Sequence, residues 1–395
     1  MRAQSLITMR ILKRIGIGLG ILLVAAVLGL VVTGNSHVLR GIRSTYLIGE
    51  KNPDIDDLGY FDVSVIASGQ PQPWAADPNA AALGKQCIGE DDSLGTTAFL
   101  VLQNDTIRAE YYSEDGGLEV VSNSFSMAKS FTAMMVLKAH EEGLIPSLDD
   151  RVGKYLPEYN NGADTALTIR HLLHMASSIP FGESYSSPFG YMARAYFGKN
   201  LLEETFRYHV EDRPGTCWSY EGGNTVLLGL VLRAVTQKSP SAYFGERFWR
   251  PLGAEHAAFW NLDHEGGIEK VFSGYYATAR DYARIGALML HDGVWGSDTL
   301  LSSNAIRELI TPCLIPDRAG EKCSWYGMQW WLDSSEQPHF FACRGMRGQY
   351  IICIPEHDIC IVRLGHKQSK ARVQHMPADL LRYVEIAEKT LGIRQ

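Results

Sequence analysis

The chain has 395 residues, of which 46% are hydrophobic and 21% charged, a composition typical of a globular protein with one large or two medium domains. Its net charge of −7, with no run of lysine and arginine after the N-terminus, argues against a nucleic-acid partner. Proline and glycine are spread through the chain, which has no low-complexity linker and no internal repeat.

The N-terminus has the pattern of a membrane anchor. Basic residues and no acid lie within the first fourteen positions, and residues 15–33 carry no charge. A helix of this length, at about 1.5 Å per residue, nearly matches the ~30 Å hydrocarbon core of a bilayer. The run exceeds the apolar core of a signal peptide, roughly 7 to 15 residues, and its end makes a poor cleavage site. We therefore expect residues 1–34 to form a basic cytoplasmic segment and an uncleaved transmembrane anchor, with residues 35–395 on the extracytoplasmic (periplasmic or extracellular) side.

Regular structure is expected from residue 96 onwards. Residues 35–95 contain several prolines and scattered acids, and we predict an irregular tether that packs on the domain formed by residues 96–395. Runs of β-forming residues predict strands at 98–102, 107–112, 340–344, 349–354 and 359–364. Helical patterns occupy the middle and the end of the chain, at 168–175, 190–208, 224–236, 241–249, 278–291 and 376–391.

This order of elements predicts the fold class. Strands near both ends of the domain around a helical middle indicate an α/β (α+β) fold with one antiparallel sheet built from both chain ends. Helices flank the sheet, and a mainly helical lobe is inserted as a second layer. We expect a binding site in the cleft between the sheet and the lobe.

The chemistry is expected at Ser126 and Lys129, at the front of an apolar run that continues to Ala139. A helical period places the two side chains on one face, one turn apart, so the amine can reach the hydroxyl. A serine hydroxyl becomes a good nucleophile when a neighbouring base takes its proton. The structural alternative is a serine that caps the helix, followed by a solvent-exposed lysine.

The cysteines and histidines do not suggest a metal site. The seven cysteines show neither a CxxC pair nor a Cys/His spacing suited to zinc, and His171 and His174 have no acidic or third ligand nearby in the sequence. Cys313 and Cys323 flank a short loop and are candidates for a disulfide in an oxidising compartment, with buried free thiols as the alternative. We expect no metal.

Several further segments resemble a known family. They are SMAKSF at 126–131, YLPE at 155–158, LTIRHLL at 167–173, PGTCWSY at 214–220, LLG at 227–229, ATARDYAR at 277–284, YGMQWW at 326–331 and GMRGQ at 345–349. Together they resemble the class C β-lactamase-related serine hydrolases, and the last three are similar to the branch of 6-aminohexanoate-dimer hydrolases and related esterases. The resemblance covers roughly residues 97–365 and implies a β-lactamase/transpeptidase-like fold.

The resemblance also implies roles for individual residues. Ser126 would be the nucleophile, Lys129 and Tyr220 would move its proton, and the backbone N–H groups of Ser126 and Met346 would stabilise the oxyanion. No cofactor is implied. Without the surrounding match, Tyr220 would be interpreted as an interfacial aromatic with a satisfied hydroxyl.

Two departures from the family pattern concern the substrate pocket. The family's Tyr-x-Asn reads Tyr220-Glu221-Gly222 here, which removes a side-chain amide. The third motif, Lys-Thr-Gly or His-x-Gly in the family, reads Cys343-Arg344-Gly345, so a thiol replaces a lysine or histidine that faces the substrate. Arg344 and Arg347 are candidate sources of positive charge, although a solvated arginine is the default interpretation of each.

The expected function is that of a membrane-anchored serine hydrolase (amidase or esterase) that acts on a small-molecule or peptide substrate through an acyl-enzyme. One alternative is a peptidase or carboxypeptidase of cell-wall D-amino-acid peptides. The other is a catalytically inactive, penicillin-binding-type module that keeps only the cleft.

Overall fold

The computed structural model describes residues 2–89, 92–333, 335 and 339–393. Each of the three predicted segments, 1–34, 35–95 and 96–395, therefore includes one or more residues outside the described ranges. The strands are β1 Val63–Ile66, β2 Ala75–Ala76, β3 Thr96–Gln103, β4 Thr106–Tyr112, β5 Ser122–Asn123, β6 Ala258–Asn261, β7 Tyr275–Ala277, β8 Val294–Trp295, β9 Asp298–Thr299, β10 Trp331–Leu332, β11 Phe341–Gly345, β12 Gln349–Ile354, β13 Ile359–Gly365, β14 Arg372–Val373 and β15 Met376–Pro377.

The helices include one break that the sequence pattern did not predict. They are α1 Arg2–Val32, α2 His37–Ser44, α3 Ala80–Ile88, α4 Met127–Glu141, α5 Ile169–Leu173, α6 Tyr191–Phe197, α7 Leu201–Thr205, α8 Gly222–Thr236, α9 Pro240–Phe244, α10 Ala279–Leu290, α11 Ser303–Leu309 and α12 Ala378–Thr390. The single helix expected at 190–208 is two, α6 and α7, because the chain leaves the helical conformation at Gly198 and Asn200.

The main sheet is built from both ends of the domain, as predicted. Its strand order is β10-β11-β12-β13-β3-β4-β2, so the C-terminal strand β13 pairs with the N-terminal strand β3. The pairings are antiparallel except for the two-residue β2, which runs parallel to β4.

The sheet separates two hydrophobic cores because successive side chains of a strand point to opposite faces. Along β3, Ala98, Leu100 and Leu102 face α4 and α10, whereas Phe99 and Val101 face α3 and α12. Helix α10 packs closely on β12 and β13, since a Cβ added at Gly286 would lie only 2.3 Å from the Cys360 sulfur. The larger core lies between the sheet and the helical lobe and contains α4 and α8.

The segment between the N-terminal apolar run and the domain has more regular structure than its composition suggested. Residues 35–95 contain α2, β1, β2 and α3, and β1 pairs with β6 in a second, four-stranded sheet. Asp57 in this segment is 1% exposed, and its carboxylate accepts hydrogen bonds from Asn123 Nδ2 at 3.1 Å, from Tyr196 OH at 2.8 Å and from Tyr276 OH. Part of the predicted tether therefore contributes to the core of the domain.

The apolar N-terminal run forms the long helix α1. Residues 11–32 are long and apolar enough to cross a membrane, and their apolar window is not buried against the rest of the protein. A signal sequence would satisfy the same test of length and composition. The seven cysteines, all within the described ranges, are free thiols.

Candidate active site

Ser126 lies in the short connection between β5 and α4. Phe125, immediately before it, has a positive φ of 44°, a strained conformation for a bulky residue that is often found at functional sites. Ser126 occupies the N-cap position of α4, but its side chain makes no capping hydrogen bond. The alternative in which Ser126 serves only as a helix cap is therefore wrong.

The amine of Lys129 lies against the Ser126 hydroxyl. Lys129 Nζ is 2.9 Å from Ser126 Oγ and donates to the carbonyl oxygen of Phe272 at 3.0 Å. Lys129 is only 1% exposed, so the alternative interpretation of Lys129 as a solvent-exposed side chain is also wrong. Neither of the two acceptors is a carboxylate.

Tyr220 forms the wall next to this pair. Lys129 Nζ lies 5.0 Å from the centre of the Tyr220 ring. The ring is half-buried and packs against Trp331 and Tyr326, with ring centres 5.6 and 6.0 Å away. The structure thus brings together Ser126, Lys129 and Tyr220, the three residues expected to be catalytic, although the amine faces the aromatic ring at this contact.

The two backbone amides expected to stabilise an oxyanion border the same pocket. Ser126 and Met346 both line it, and Met346 follows directly after β11. Within the described part of the chain, neither amide donates a hydrogen bond to the protein. Two unused donors beside the Ser126 hydroxyl are the kind of groups that can stabilise a developing oxyanion.

The pocket beside Ser126 encloses about 70 Å³ and has a mainly apolar wall. Its aromatic and apolar lining consists of Phe125, Met192, Tyr196, Phe197 and Phe272. Asn52 and Pro53, from the segment that follows α1, also line the pocket. The sequence patterns gave no reason to place these two residues at the site, because their position depends on how the N-terminal segment folds back.

Glu183 and Tyr185 are further site residues that the sequence patterns missed. The Tyr185 ring is 54% exposed, but its hydroxyl points toward Ser126 and donates to Glu183 Oε1. Burial of the hydroxyl and the nearby Glu183 carboxylate raise the pKa of Tyr185 well above its usual value, so the hydroxyl stays protonated. Because its one proton is donated to Glu183, its oxygen is free to accept a hydrogen bond from a substrate. The available signal was an aromatic residue in a loop of turn-forming residues, which is a common location for binding groups.

A buried carboxyl follows Tyr220. Glu221 is 5% exposed, and burial together with repulsion from Glu183 raises the pKa of Glu221 to about 7. Glu183 in turn accepts a hydrogen bond of 2.6 Å from the Gly222 amide. At neutral pH Glu221 is therefore only partly ionised.

The histidines have structural roles. His171 Nδ1 lies 3.2 Å from the backbone amide of Thr168, and together the two residues form the cap of α5. Burial lowers the pKa of His174 to about 4, so its ring is neutral at physiological pH. The described residues contain no cluster of three or more His, Cys, Asp or Glu side chains that could hold a metal ion.

The family model described as Beta-lactamase matches residues 99–384. The chain belongs to the β-lactamase family. It is 26% identical over 288 residues to the 6-aminohexanoate-dimer hydrolase of Paenarthrobacter ureafaciens, a match that covers 68% of this chain and 72% of that protein. A match to Protein flp of Staphylococcus aureus is 30% identical but spans only 28% of that protein's length and 36% of this chain.

Solved structures support the same assignment at the level of the fold. A putative 6-aminohexanoate-dimer hydrolase from Bacillus anthracis has a TM-score of 0.72 at 23% identity, with 85% of this chain and 92% of that chain covered. A family VIII carboxylesterase has a TM-score of 0.64 at 17% identity, with 83% and 100% covered. The family resemblance inferred from the sequence motifs is confirmed.

Within this β-lactamase-family fold, the third motif has a different environment from the one expected. The side chain of Cys343 is fully buried in the core beneath α4, and burial raises the pKa of its thiol. Cys343 is not among the residues that line the pocket beside Ser126. Gly345 has a steric role, since a Cβ there would lie 2.1 Å from the carbonyl oxygen of Ser124, two residues before the nucleophile.

The surroundings of Arg344, Arg347 and Gly222 also differ from those expected. The Arg344 guanidinium stacks 3.8 Å from the Trp331 ring and donates to the carbonyl oxygen of His375 at 3.0 Å. Arg347 pairs with Glu50 at 2.9 Å, so neither arginine is a freely solvated side chain. At Gly222, a Cβ would come within 3.2 Å of the Glu183 carboxylate, which leaves little room for the missing amide side chain.

Proposed function

We propose that this β-lactamase-family protein is a serine hydrolase that cleaves ester or amide bonds through a covalent acyl-enzyme on Ser126. The observation that carries the proposal is the 2.9 Å separation between Ser126 Oγ and Lys129 Nζ in a buried setting. This is the hydrogen-bond distance that a nucleophile and its general base require. Tyr220 and the free amides of Ser126 and Met346 border the same position.

The first half-reaction follows from these contacts. Lys129 acts as the general base and takes the hydroxyl proton as Ser126 Oγ attacks the substrate carbonyl carbon. The carbonyl oxygen becomes negatively charged and is stabilised by the two backbone N–H groups. When the tetrahedral intermediate collapses, the bond to the leaving alcohol or amine breaks, and the proton held near Lys129 and Tyr220 passes to that group.

The second half-reaction uses water in place of the serine. A water molecule attacks the acyl carbon, gives a proton to Lys129 and forms a second tetrahedral intermediate. Collapse of this intermediate releases a carboxylic acid and returns the proton to Ser126 Oγ. The same residues serve both halves, and no additional reactant besides water is required.

The substrate class is narrowed by the pocket and by the names of the relatives. The relatives include a 6-aminohexanoate-dimer hydrolase and a carboxylesterase by name. The wall beside Ser126 is mainly apolar, and its polar lining includes Tyr185, whose hydroxyl donates to Glu183. We infer a small amide or ester, with the peptidase of D-amino-acid peptides as the second candidate within the same chemistry.

We also propose that α1 remains attached as a membrane anchor, with the domain on the extracytoplasmic side. The charge-free run and the basic residues before it support this orientation by the positive-inside rule. Asn35 and His37, which follow α1, form hydrogen bonds with Arg194 and Pro188 of the domain. A cleaved signal sequence is the competing assignment, and the size of the mature protein distinguishes the two.

The mechanism is tested by kinetics of single and double variants. Ser126→Ala, Lys129→Ala and Tyr220→Phe should each lower kcat for 4-nitrophenyl acetate by several decades, and the double variants should lose little more than the singles, because the residues act as one unit. An exposed lysine provides the matched control, so Lys367→Ala should keep wild-type turnover. Near wild-type kcat in Lys129→Ala at neutral pH would show that the proposed base is wrong.

A further inference from the structure

We propose that the hydrolase acts on membrane-held amphiphiles, whose apolar chain reaches Ser126 along a groove formed by the helix that follows the anchor. The inference rests on the proposed function and specifies its substrate class: an ester or amide with one long apolar chain, drawn from the bilayer in which the protein is anchored. The groove is a second cavity, distinct from the pocket beside Ser126 but sharing a wall with it.

The end of the anchor is bonded directly to the wall of the site. Arg194 on α6 donates to Asn35 Oδ1 at 2.8 Å, only three residues after the last residue of α1. His37 Nε2 lies 2.8 Å from the carbonyl oxygen of Pro188, in the loop that also carries Tyr185. The site is therefore bonded to the chain within a few residues of the membrane-spanning run.

The groove lies between α2 and the 185–188 loop and encloses about 170 Å³. Its apolar lining includes Val38 and Ile42 of α2 and Phe197 of α6. Ala193, Phe197 and Tyr185 line both this groove and the pocket beside Ser126. An apolar chain lying along α2, which is about 12 Å long at ~1.5 Å per residue, would thus lead to the nucleophile.

The surface next to the groove suits a bilayer interface. Tyr46, Leu47 and Ile48 follow α2 directly and are exposed, Leu47 to 75%. Consecutive exposed apolar residues are unusual on a surface that faces only water. Arg43 and Lys51 are exposed beside them, and basic residues near a membrane surface are attracted to anionic headgroups.

This arrangement assigns a position to each part of the substrate. The apolar chain occupies the α2 groove, the carbonyl carbon lies at Ser126, and the bond to the leaving group is broken by the two half-reactions described above. Each methylene removed from water strengthens binding about fourfold. Chains long enough to fill the groove should therefore be favoured over acetyl esters.

The test uses full-length protein in vesicles of phosphatidylcholine and phosphatidylglycerol. Turnover of 4-nitrophenyl hexadecanoate placed in the same vesicles is compared with turnover of water-soluble 4-nitrophenyl acetate. Ala193→Phe fills the junction of the two cavities, and Ile42→Ser removes apolar surface from the groove without adding volume. Ala82→Phe on the exposed face of α3 and Val373→Ser on β14 are the matched controls.

We expect Ala193→Phe and Ile42→Ser to lower the hexadecanoate-to-acetate ratio of kcat/KM, by about tenfold or more for Ala193→Phe, while the controls keep the wild-type ratio. Hexadecanoate in the protein's own vesicles should also be cleaved faster than the same amount added in protein-free vesicles. Equal loss of both activities in the two groove variants, or a wild-type enzyme that prefers acetate in this assay, would overturn the inference. Absence of any Ser126-dependent ester cleavage would instead contradict the proposed function itself.

Discussion

The role of the segment after α1, residues 35–95, can be tested at Asp57. Its carboxylate is buried and accepts hydrogen bonds from Asn123, Tyr196 and Tyr276, residues that belong to three separate parts of the domain. Asp57→Ala removes the carboxylate acceptor from all three donors, although the Asn123 amide still donates to the two tyrosine oxygens. At about 1 to 1.5 kcal/mol for each, we expect a loss of about 3 to 4 kcal/mol in the free energy of unfolding. In a domain of this size the melting temperature should fall by about 6 to 8 °C.

The same carboxyl predicts a dependence on pH. Burial raises the pKa of Asp57 to about 6. The folded carboxyl therefore keeps its proton at pH values where the unfolded one has lost it, and its stabilising contribution declines as pH rises from about 4 to about 6, by at most about 3 kcal/mol. Asp57→Asn cannot ionise, so this variant should gain stability relative to the wild type over that interval.

The assay is thermal unfolding of the full-length protein in detergent, followed by near-ultraviolet circular dichroism at several pH values. Asp56→Ala is the matched control, because Asp56 is the exposed neighbour of Asp57 and makes no hydrogen bond among the described residues. A melting temperature of Asp57→Ala within about 1 °C of this control would refute the reasoning. It would mean that residues 35–95 are a loosely attached tether after all.

Three further predictions concern the site and the anchor. Tyr185→Phe should raise KM for amides and esters more than it lowers kcat, because the Tyr185 hydroxyl points into the pocket without touching Lys129. An unchanged KM would contradict a role of this hydroxyl in substrate binding. Wild-type protein should cleave short esters better than cephalosporins. Gly222→Asn and Cys343→His should each lower the melting temperature without restoring β-lactam turnover, because neither position has space for the larger side chain. A stable variant with increased cephalosporin turnover would contradict the packing argument. Deletion of residues 1–34 should give soluble protein that still cleaves acetyl esters. A reporter enzyme fused to the C-terminus should be active only if it is a type that works outside the cytoplasm. Activity of a fused reporter that works only in the cytoplasm would show that the orientation is the reverse of the one proposed.

Much of the architecture could be predicted because its signals are local. The strands near residues 98–112 and 340–364 and the helices α4, α8 and α10 follow from runs of β-forming residues and from helical periodicity. The pair Ser126 and Lys129 could be located because both residues lie on one turn of one helix. In that case sequence spacing determines the distance between the side chains.

The remaining features depend on contacts between distant parts of the chain. Asn52, Pro53 and the α2 groove reach the site only because the N-terminal segment folds back and is fastened by Asp57 and Asn35. Glu183 and Tyr185 lie in a loop whose composition indicates a turn but not its direction. The burial of Cys343 could not be inferred from its motif. The motif indicates only where the residue lies along the strand, whereas the exposure of its side chain depends on how α4 packs over it.

The central claim is that Ser126 forms the acyl-enzyme, and intact-protein mass spectrometry after reaction with a fluorophosphonate tests it most directly. The wild-type protein should gain the mass of one phosphonyl group, peptide mapping should place the group on Ser126, and Ser126→Ala should remain unlabelled. Lys129→Ala should be labelled much more slowly, because its serine lacks the neighbouring base. A wild-type protein that stays unlabelled under conditions that label a control serine hydrolase, or a label on another residue, would contradict the account.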